Sequence, residues 1–288
     1  MTDKKRHGKI FSHSRISAFE KCRLKYKFRY VDEIIPEVER TIESHLGSSV
    51  HKALEWLYNQ VRRKKMPSAE ELIMIYSENW NEEYDDEIPI VKKNFTKEDY
   101  FNKGVEFLIN YYTENHPFDD NTLEVEKEIL INLDSEGEYK LRGFIDRIAY
   151  NAQKDEYEIH DYKTSGTFPS DEEIENDRQL ALYAIAIKEI YGKEKNVRLI
   201  WHYLSFRKKI HSERTNEQLE KLREDTLNVA KEINSTKNFP PTKSPLCHWC
   251  EYKNICPVWG NNFEKQTKLD GFAKLEKGEN GDKLDVFK

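Results

Sequence analysis

The stretch 122–163 constrains the fold more than any other part of the chain. Residues 122–133 (TLEVEKEILINL) partly alternate and are rich in β-formers, and 134–137 (DSEG) is a turn signal. Residues 138–150 (EYKLRGFIDRIAY) and 156–163 (EYEIHDYK) follow as strands. A three-stranded antiparallel meander is expected. The second turn covers 151–156 and is centred between residues 153 and 154. Asp146 lies as far before that centre as Asp161 lies after it. A symmetric hairpin sets the two opposite each other, with Cβ atoms about 5 Å apart; a bulge would break the symmetry. Lys163, two residues beyond Asp161, shares its face.

Two carboxylates and a lysine on one sheet face repel and attract at close range, and a divalent cation resolves the conflict. Mg²⁺ or Mn²⁺ held there would polarise a phosphate and lower the pKa of an attacking water. The lysine would orient that water or offset charge developing on phosphorus. Asp-x-Lys alone recurs by chance, and a solvent-facing amphipathic hairpin is the plain alternative. Gln179 and Tyr183 lie four residues apart and share a helix face. By itself Tyr183 reads as a core aromatic within LALYAIAI. His51, in GSSVHKALEWL, is a capable metal ligand, but a lone His is more often structural.

The rest of the chain reads as helices around this meander. Residues 14–32 read as one helix with Ser14 as N-cap; 47–64 and 68–84 as two more, separated near Pro67; and 97–115 as a fourth, capped by Thr96. After the meander come a helix over 171–192 capped by Ser170 or Asp171, a strand over 196–206 and a polar amphipathic helix over 215–236. From 239 the chain is a Pro- and Cys-containing loop. Residues 264–288 read as a flexible tail or a docking peptide for a protein partner.

Charge is unevenly spread. The 288 residues carry 47 Lys+Arg against 53 Asp+Glu, net -6, a balance unpromising for a nucleic-acid partner. Yet residues 1–30 hold ten bases and two acids, and 66–125 hold fifteen acids and four bases. Arg15, Lys21, Arg23, Lys25, Lys27 and Arg29 are therefore candidates for contacting a phosphate backbone, against the plainer reading of a solvated helix face. Tyr26, Phe28 and Tyr30 alternate with the last of these bases, and on a helix at least two of the three belong in a core. No apolar run approaches the roughly 20 residues of a membrane helix, and none follows the charged start. A soluble, cytoplasmic protein with no membrane contact is expected.

Four cysteines complete the set. Cys247-x2-Cys250-x5-Cys256 is a compact cluster, and Cys22 lies far upstream. Four thiolates with a CxxC core suit tetrahedral zinc or an iron–sulfur cluster, and softness and spacing alone do not choose between them. With Cys22 as fourth ligand, the metal would staple the basic N-terminal helix to the C-terminal loop.

Taken together, SRISAFEKCRLKYKFRY, GSSVHKALE, LRGFIDRIAY, IHDYKTS, QLALY and CHWCEYKNIC span 14–256. In content and order they resemble the RecB-like, exonuclease V-like branch of the PD-(D/E)XK nuclease superfamily, particularly its stand-alone exonucleases with an iron–sulfur cluster. The resemblance implies an α/β fold: a restriction-endonuclease-like core, with a mixed central sheet flanked by helices, an N-terminal helical region and a C-terminal Cys-rich loop. It implies one nuclease domain over 1–263 with a helical insertion at about 66–120. His51, Asp146, Asp161 and the Tyr162 carbonyl would ligate the catalytic metal, and Lys163 would be the catalytic lysine. Gln179 and Tyr183 would position substrate. Cys22, Cys247, Cys250 and Cys256 would hold a structural [4Fe–4S] cluster. Glu126 matches an accessory acid on the preceding strand, although Glu124 and Glu128 share its patch. The implied reaction is Mg²⁺- or Mn²⁺-dependent hydrolysis of DNA, single-stranded and from an end, in repair or recombination. The alternatives are a CRISPR-adaptation nuclease, which is usually shorter; a non-catalytic nucleic-acid-binding module; and a zinc-stapled structural protein.

Overall fold

Strand β3 (Tyr139–Asn151) has more neighbours than a strand ordinarily takes, and the fold follows from how they share it. The computed structural model describes residues 9–38, 40–90, 92 and 94–259; the expected tail 264–288 lies outside the described residues. Strand β2 (Thr122–Asn132) runs antiparallel along the whole of one β3 edge, from Thr122↔Ala149 to Asn132↔Lys140. The other edge is divided. Strand β1 (Lys9–Ser12) pairs parallel with Tyr139–Arg142, and β4 (Glu156–Lys163) pairs antiparallel from Arg147↔His160 to Asn151↔Glu156. Between them, residues 143–146 pair with neither strand. Beyond β4 the sheet continues with β5 (Asn196–Tyr203), parallel to it, and β6 (Lys208–Glu213), antiparallel to β5. This is the mixed α/β sheet flanked by helices that the sequence predicts.

The expected meander is present, and its register keeps the hairpin symmetry as far as Arg147↔His160. The ladder stops there, one step short of Asp146 and Asp161, so the two aspartates are not a closed cross-strand pair. Other elements differ from the sequence reading. The run 14–32 is two helices, α1 (His13–Lys21) and α2 (Arg23–Tyr30), interrupted by Cys22 in an extended conformation. Ser12, rather than Ser14, accepts from the first turn of α1, at Arg15 N. Helix α3 (Ile42–Arg62) starts earlier than expected, because Thr41 accepts from Ser44 N. Helices α4 (Ala69–Glu83) and α5 (Lys97–Asn115) have capping boxes from Ser68, which was not foreseen, and from Thr96, the expected cap.

The run 171–192 divides into α6 (Asp171–Glu175) and α7 (Gln179–Tyr191). The strand expected over 196–206 ends at Tyr203, turns through Leu204–Phe206 and returns as the unforeseen β6. Arg207 makes that turn with φ +51. Helix α8 (Asn216–Ser235) follows.

The chain divides into two compact units, Met1–Lys21 with Val38–Asn238, and Cys22–Glu37 with Phe239–Lys288. In the first unit, α3, α4 and α5 pack together around Leu46, Val50, Leu57, Tyr76, Trp80 and Leu108. The acidic stretch is thus a set of core-forming helices. In the second, Phe28 of α2 meets Tyr252, whose hydroxyl donates to Ile34 O, and Tyr26 stacks on Phe239. Both Tyr26 and Phe28 are buried, as the helical reading required. Among the described residues no helix is long and apolar enough to cross a membrane.

Arg147 joins the sheet to the helical core. It is 1% exposed and lies over the Tyr58 ring at 4.0 Å. It donates to Tyr162 Oη at 3.0 Å, to His160 Nδ1 at 2.8 Å, to Thr122 Oγ1 at 3.2 Å and to Asp120. Tyr162 Oη in turn lies 3.3 Å from Tyr111 Oη of α5. Removing the guanidinium strands several buried partners, so Arg147→Ala is expected to cost about 3–5 kcal/mol in urea melts. Asp120→Asn should cost less, because that carboxylate is one-third exposed.

Candidate active site

The gap along β3 is where the chemistry collects. Asp146 is its last residue, and with no β4 partner its side chain takes the place of a backbone acceptor: Tyr162 N–H donates to Asp146 Oδ2 at 2.9 Å. On the opposite edge the β2–β3 ladder skips Glu126, the residue in register with Asp146, and Glu126 adopts φ +46. A glutamate in the left-handed region is strained backbone, and such strain clusters at functional sites. His51 arrives from α3. Ile42, Leu46 and Val50 form that helix's buried stripe, and His51 sits one position off it. Gly47, one turn earlier on the His51 face, lets α3 approach the end of β4: a Cβ there would stand 3.1 Å from Thr164 Oγ1.

His51 bridges two oxygens. Its Nε2 donates to the Tyr162 carbonyl at 2.7 Å, and Nδ1 lies 3.4 Å from Asp146 Oδ2. Ligand atoms of His51, Glu126 and Asp146 all lie within 4.8 Å of one another. A ring that donates from both nitrogens is an imidazolium. Burial works against that charge, but Asp146 contact, the charges of Asp146 and Asp161 and the Tyr162 carbonyl outweigh it, raising His51 to about 9. Burial, then the Asp146 charge, raises Glu126 to about 7. Burial raises Asp161 to about 6 even though Lys163 opposes the shift. Protons here hold together negative groups that a cation would otherwise hold. The donor set of one imidazole, carboxylates and a carbonyl suits a divalent cation such as Mg²⁺ or Mn²⁺.

Lys163 stands on the other flank of Asp161. Its Nζ is 2.7 Å from Asp161 Oδ2 and donates to Gln179 Oε1 at 3.3 Å. Burial pulls the lysine pKa down, but Asp161 more than compensates and the ammonium is kept. Gln179 opens α7, where Asp177 Oδ1 accepts from the backbone N–H groups of Gln179 and Leu180. Gln179 Nε2 then donates to Tyr183 Oη at 3.4 Å. The Tyr183 ring lies against Gly143, in the β3 gap; a Cβ at Gly143 would stand 2.3 Å from it. Tyr183 is thus both a core aromatic and a member of the site.

The candidate residues are brought together unequally. His51, Glu126, Asp146, Asp161, the Tyr162 carbonyl, Lys163, Gln179 and Tyr183 share the first unit and gather at this gap. Of the three glutamates on β2, Glu124 pairs with Arg62 and Lys127, and Glu128 with Arg142, leaving Glu126 at the site. Arg15 donates to Ile10 O beside β1, and Lys21 ends α1. Arg23, Lys25, Lys27 and Arg29 belong to the second unit, where Lys25 and Arg29 pair with Glu251 and Lys27 with Asp32. All four cysteines are free, half-buried and in that unit. Thr242 N–H donates to Cys22 Sγ at 3.4 Å, Ser244 N–H donates to Cys247 Sγ at 3.3 Å, and Cys247 Sγ donates to Thr242 O at 3.7 Å. Sequence reasoning passed over Arg147, Gly143 and Asp177. Asp177 alone carried a signal, an Asp two residues before an apolar helical run.

The family model of the PD-(D/E)XK nuclease superfamily matches residues 10–257. No curated protein matches the chain. Two similar solved structures are that of SSO0001, at 18% identity and TM-score 0.36, and that of a protein from Eubacterium rectale named a candidate exonuclease, at 13% identity and TM-score 0.48. The first covers 82% of this chain and 94% of its own; the second covers 89% and 94%.

Metal binding at this site must displace protons. With His51 at about 9 and Glu126 at about 7, both are wholly or partly protonated at neutral pH and must be released to ligate. Mn²⁺ affinity is therefore expected to rise steadily from about pH 6 to about pH 9. Calorimetry in buffers of different ionisation enthalpy should show proton release that falls in His51→Ala.

Proposed function

Because this chain belongs to the PD-(D/E)XK nuclease superfamily, whose model spans residues 10–257, we propose that it is a Mg²⁺- or Mn²⁺-dependent deoxyribonuclease that hydrolyses single-stranded DNA from an end. Repair or recombination of DNA is the setting that such an activity serves. The observation that carries the reading is the meeting of His51, Glu126, Asp146 and the Tyr162 carbonyl beside the Asp161–Lys163 ion pair. His51, Asp146, Asp161 and the Tyr162 carbonyl would hold the cation, with Glu126 as an accessory acid. A divalent cation so held supplies Lewis acidity toward a phosphoryl oxygen and lowers the pKa of water.

The chain's own groups do the remaining work. Asp161 fixes the Lys163 ammonium from one side and Gln179 from another, so its charge is aimed before substrate arrives. A cation positioned in advance stabilises charge developing on phosphorus without reorganisation. Tyr183, resting on Gly143, fixes the Gln179 amide through its hydroxyl.

In the second unit, the four cysteines would hold a [4Fe–4S] cluster with a structural role. Thr242 touches both Cys22 Sγ, through its N–H, and Cys247 Sγ, through its carbonyl, and this supports a shared site for the two sulfurs. Protein purified without oxygen should be brown, with broad visible absorption that Cys250→Ser loses; a colourless protein carrying stoichiometric zinc would assign the site to zinc.

End-labelled and circular single-stranded DNA, each with Mn²⁺, separate the modes of cutting. The labelled strand should shorten from an end while the circle persists, and rapid cutting of the circle would overturn the end-dependent mechanism. Lys163→Ala should lower kcat by about 100-fold or more. Asp161→Ala should abolish activity, and equal activity in that variant would remove the catalytic assignment.

A further inference from the structure

The sheet carries an aromatic and basic cluster just beyond the lysine, built from residues the reaction above does not use. Lys163 ends β4 in register with Tyr203, so the backbones stand one strand spacing apart, about 4.8 Å. Tyr203 is the last residue of β5 and pairs on its other side with Lys208, the first of β6. The Phe168 ring, from the segment after β4, meets the Tyr203 ring at 5.1 Å and the Phe206 ring at 5.3 Å, both edge-on. Lys208 Nζ lies 4.7 Å over Phe168. Ser205 Oγ donates to the Thr164 carbonyl at 3.1 Å, tying the β5–β6 turn to the residue after Lys163.

The surface end of the cluster is polarised for one kind of ligand. Tyr203 is buried and Phe168 half-buried, whereas Phe206 is 37% exposed. Phe206 therefore has rings behind it and solvent before it. Arg207, Lys208 and Lys209 follow it without a break and are exposed. Arg207 donates to Glu114, but among the described residues no carboxylate pairs with Lys208. A rigid exposed ring beside an unpaired cation, one strand from a phosphate-cleaving centre, matches the chemistry of an unpaired nucleotide: a π-face to stack and a phosphate to neutralise.

The geometry points to a substrate subsite in which Phe206, braced by Phe168 and Tyr203, stacks a base of the DNA single strand and Lys208 takes an adjoining phosphate. This inference rests on the nuclease reading and gives it a strand path on the Lys163 side. A duplex would have to open to use such a subsite, because its bases already stack on each other.

The test uses full-length protein and a fluorescein-labelled oligodeoxynucleotide, with anisotropy in Ca²⁺ for affinity and cleavage in Mn²⁺ for kinetics. Phe206→Ala should raise Kd and KM roughly tenfold and leave kcat within about twofold of wild type. Phe206→Trp should restore both constants. On a strand of abasic sugars, wild type and Phe206→Ala should bind alike. Lys208→Ala should reduce the slope of log affinity against log salt by about 0.7. Unchanged affinity in Phe206→Ala, an equal loss on the abasic strand, or no rescue by Trp would overturn the subsite. If wild type cuts and Phe206→Ala is indistinguishable from it, this inference alone falls. If wild type neither binds nor cuts, the nuclease reading falls with it.

Discussion

A β-strand has two edges, and β3 offers one of them to two partners. β1 takes residues 139–142 and β4 takes 147–151, which leaves 143–146 open. Buried backbone groups must still be satisfied, and here a side chain serves: Asp146 accepts the Tyr162 N–H. One carboxylate thus closes the sheet and faces the His51 ring. The same opening admits the Tyr183 ring over Gly143, and through it the Gln179–Lys163 contact. The site follows from an interrupted ladder more than from any one residue.

Electrostatics explain why the groups tolerate this crowding. Carboxylates at such range cannot all stay ionised without a positive partner. The fold supplies two, the His51 imidazolium and the Lys163 ammonium, and they differ in kind. Lys163 keeps its proton through the pH range in which enzymes work, whereas His51 can give its proton up and become a ligand. A cation bound here would therefore compete with a proton for one side of the site, while the other side carries a permanent charge.

How far the sequence disclosed this depends on where each contact comes from in the chain. The hairpin was legible because its turn is short and symmetric, and the register of 147–151 against 156–160 follows directly from counting. The capped helices α4 and α5 were legible because capping is local. β1 was not: four residues, KIFS, gain strand structure only by pairing with a segment about 130 residues away. Nor was the break at Cys22, which lies inside a run with continuous helical spacing. Among Glu124, Glu126 and Glu128 the resemblance pointed to Glu126 while spacing gave no preference; distant partners, Arg62 and Arg142, engage the outer two. Nor were the partners of the basic N-terminal run legible, since Lys25 and Arg29 meet Glu251, more than 220 residues on. The Phe168–Phe206–Lys208 group was invisible because its rings belong to different segments that only the parallel β4–β5 pairing brings together.

The acidic helices also change meaning once packed. Tyr162 lies between Asp161 and Lys163, and its two ends serve different neighbours. Its carbonyl turns to His51, while its hydroxyl is held by Arg147 and lies beside Tyr111. Tyr111 comes from α5, and Tyr58, from α3, bonds it at 2.6 Å. A rotation of β4 that moved Asp161 or Lys163 off target would have to break this buried web. Through Tyr111, the acidic stretch 66–125 therefore helps to set the orientation of β4. Its acids lie mainly on exposed positions and in capping boxes, where they serve solubility and helix starts, and the aromatic face beneath does the positioning. Net charge averaged over a chain describes its surface; the position of Lys163 is decided by what lies buried behind it.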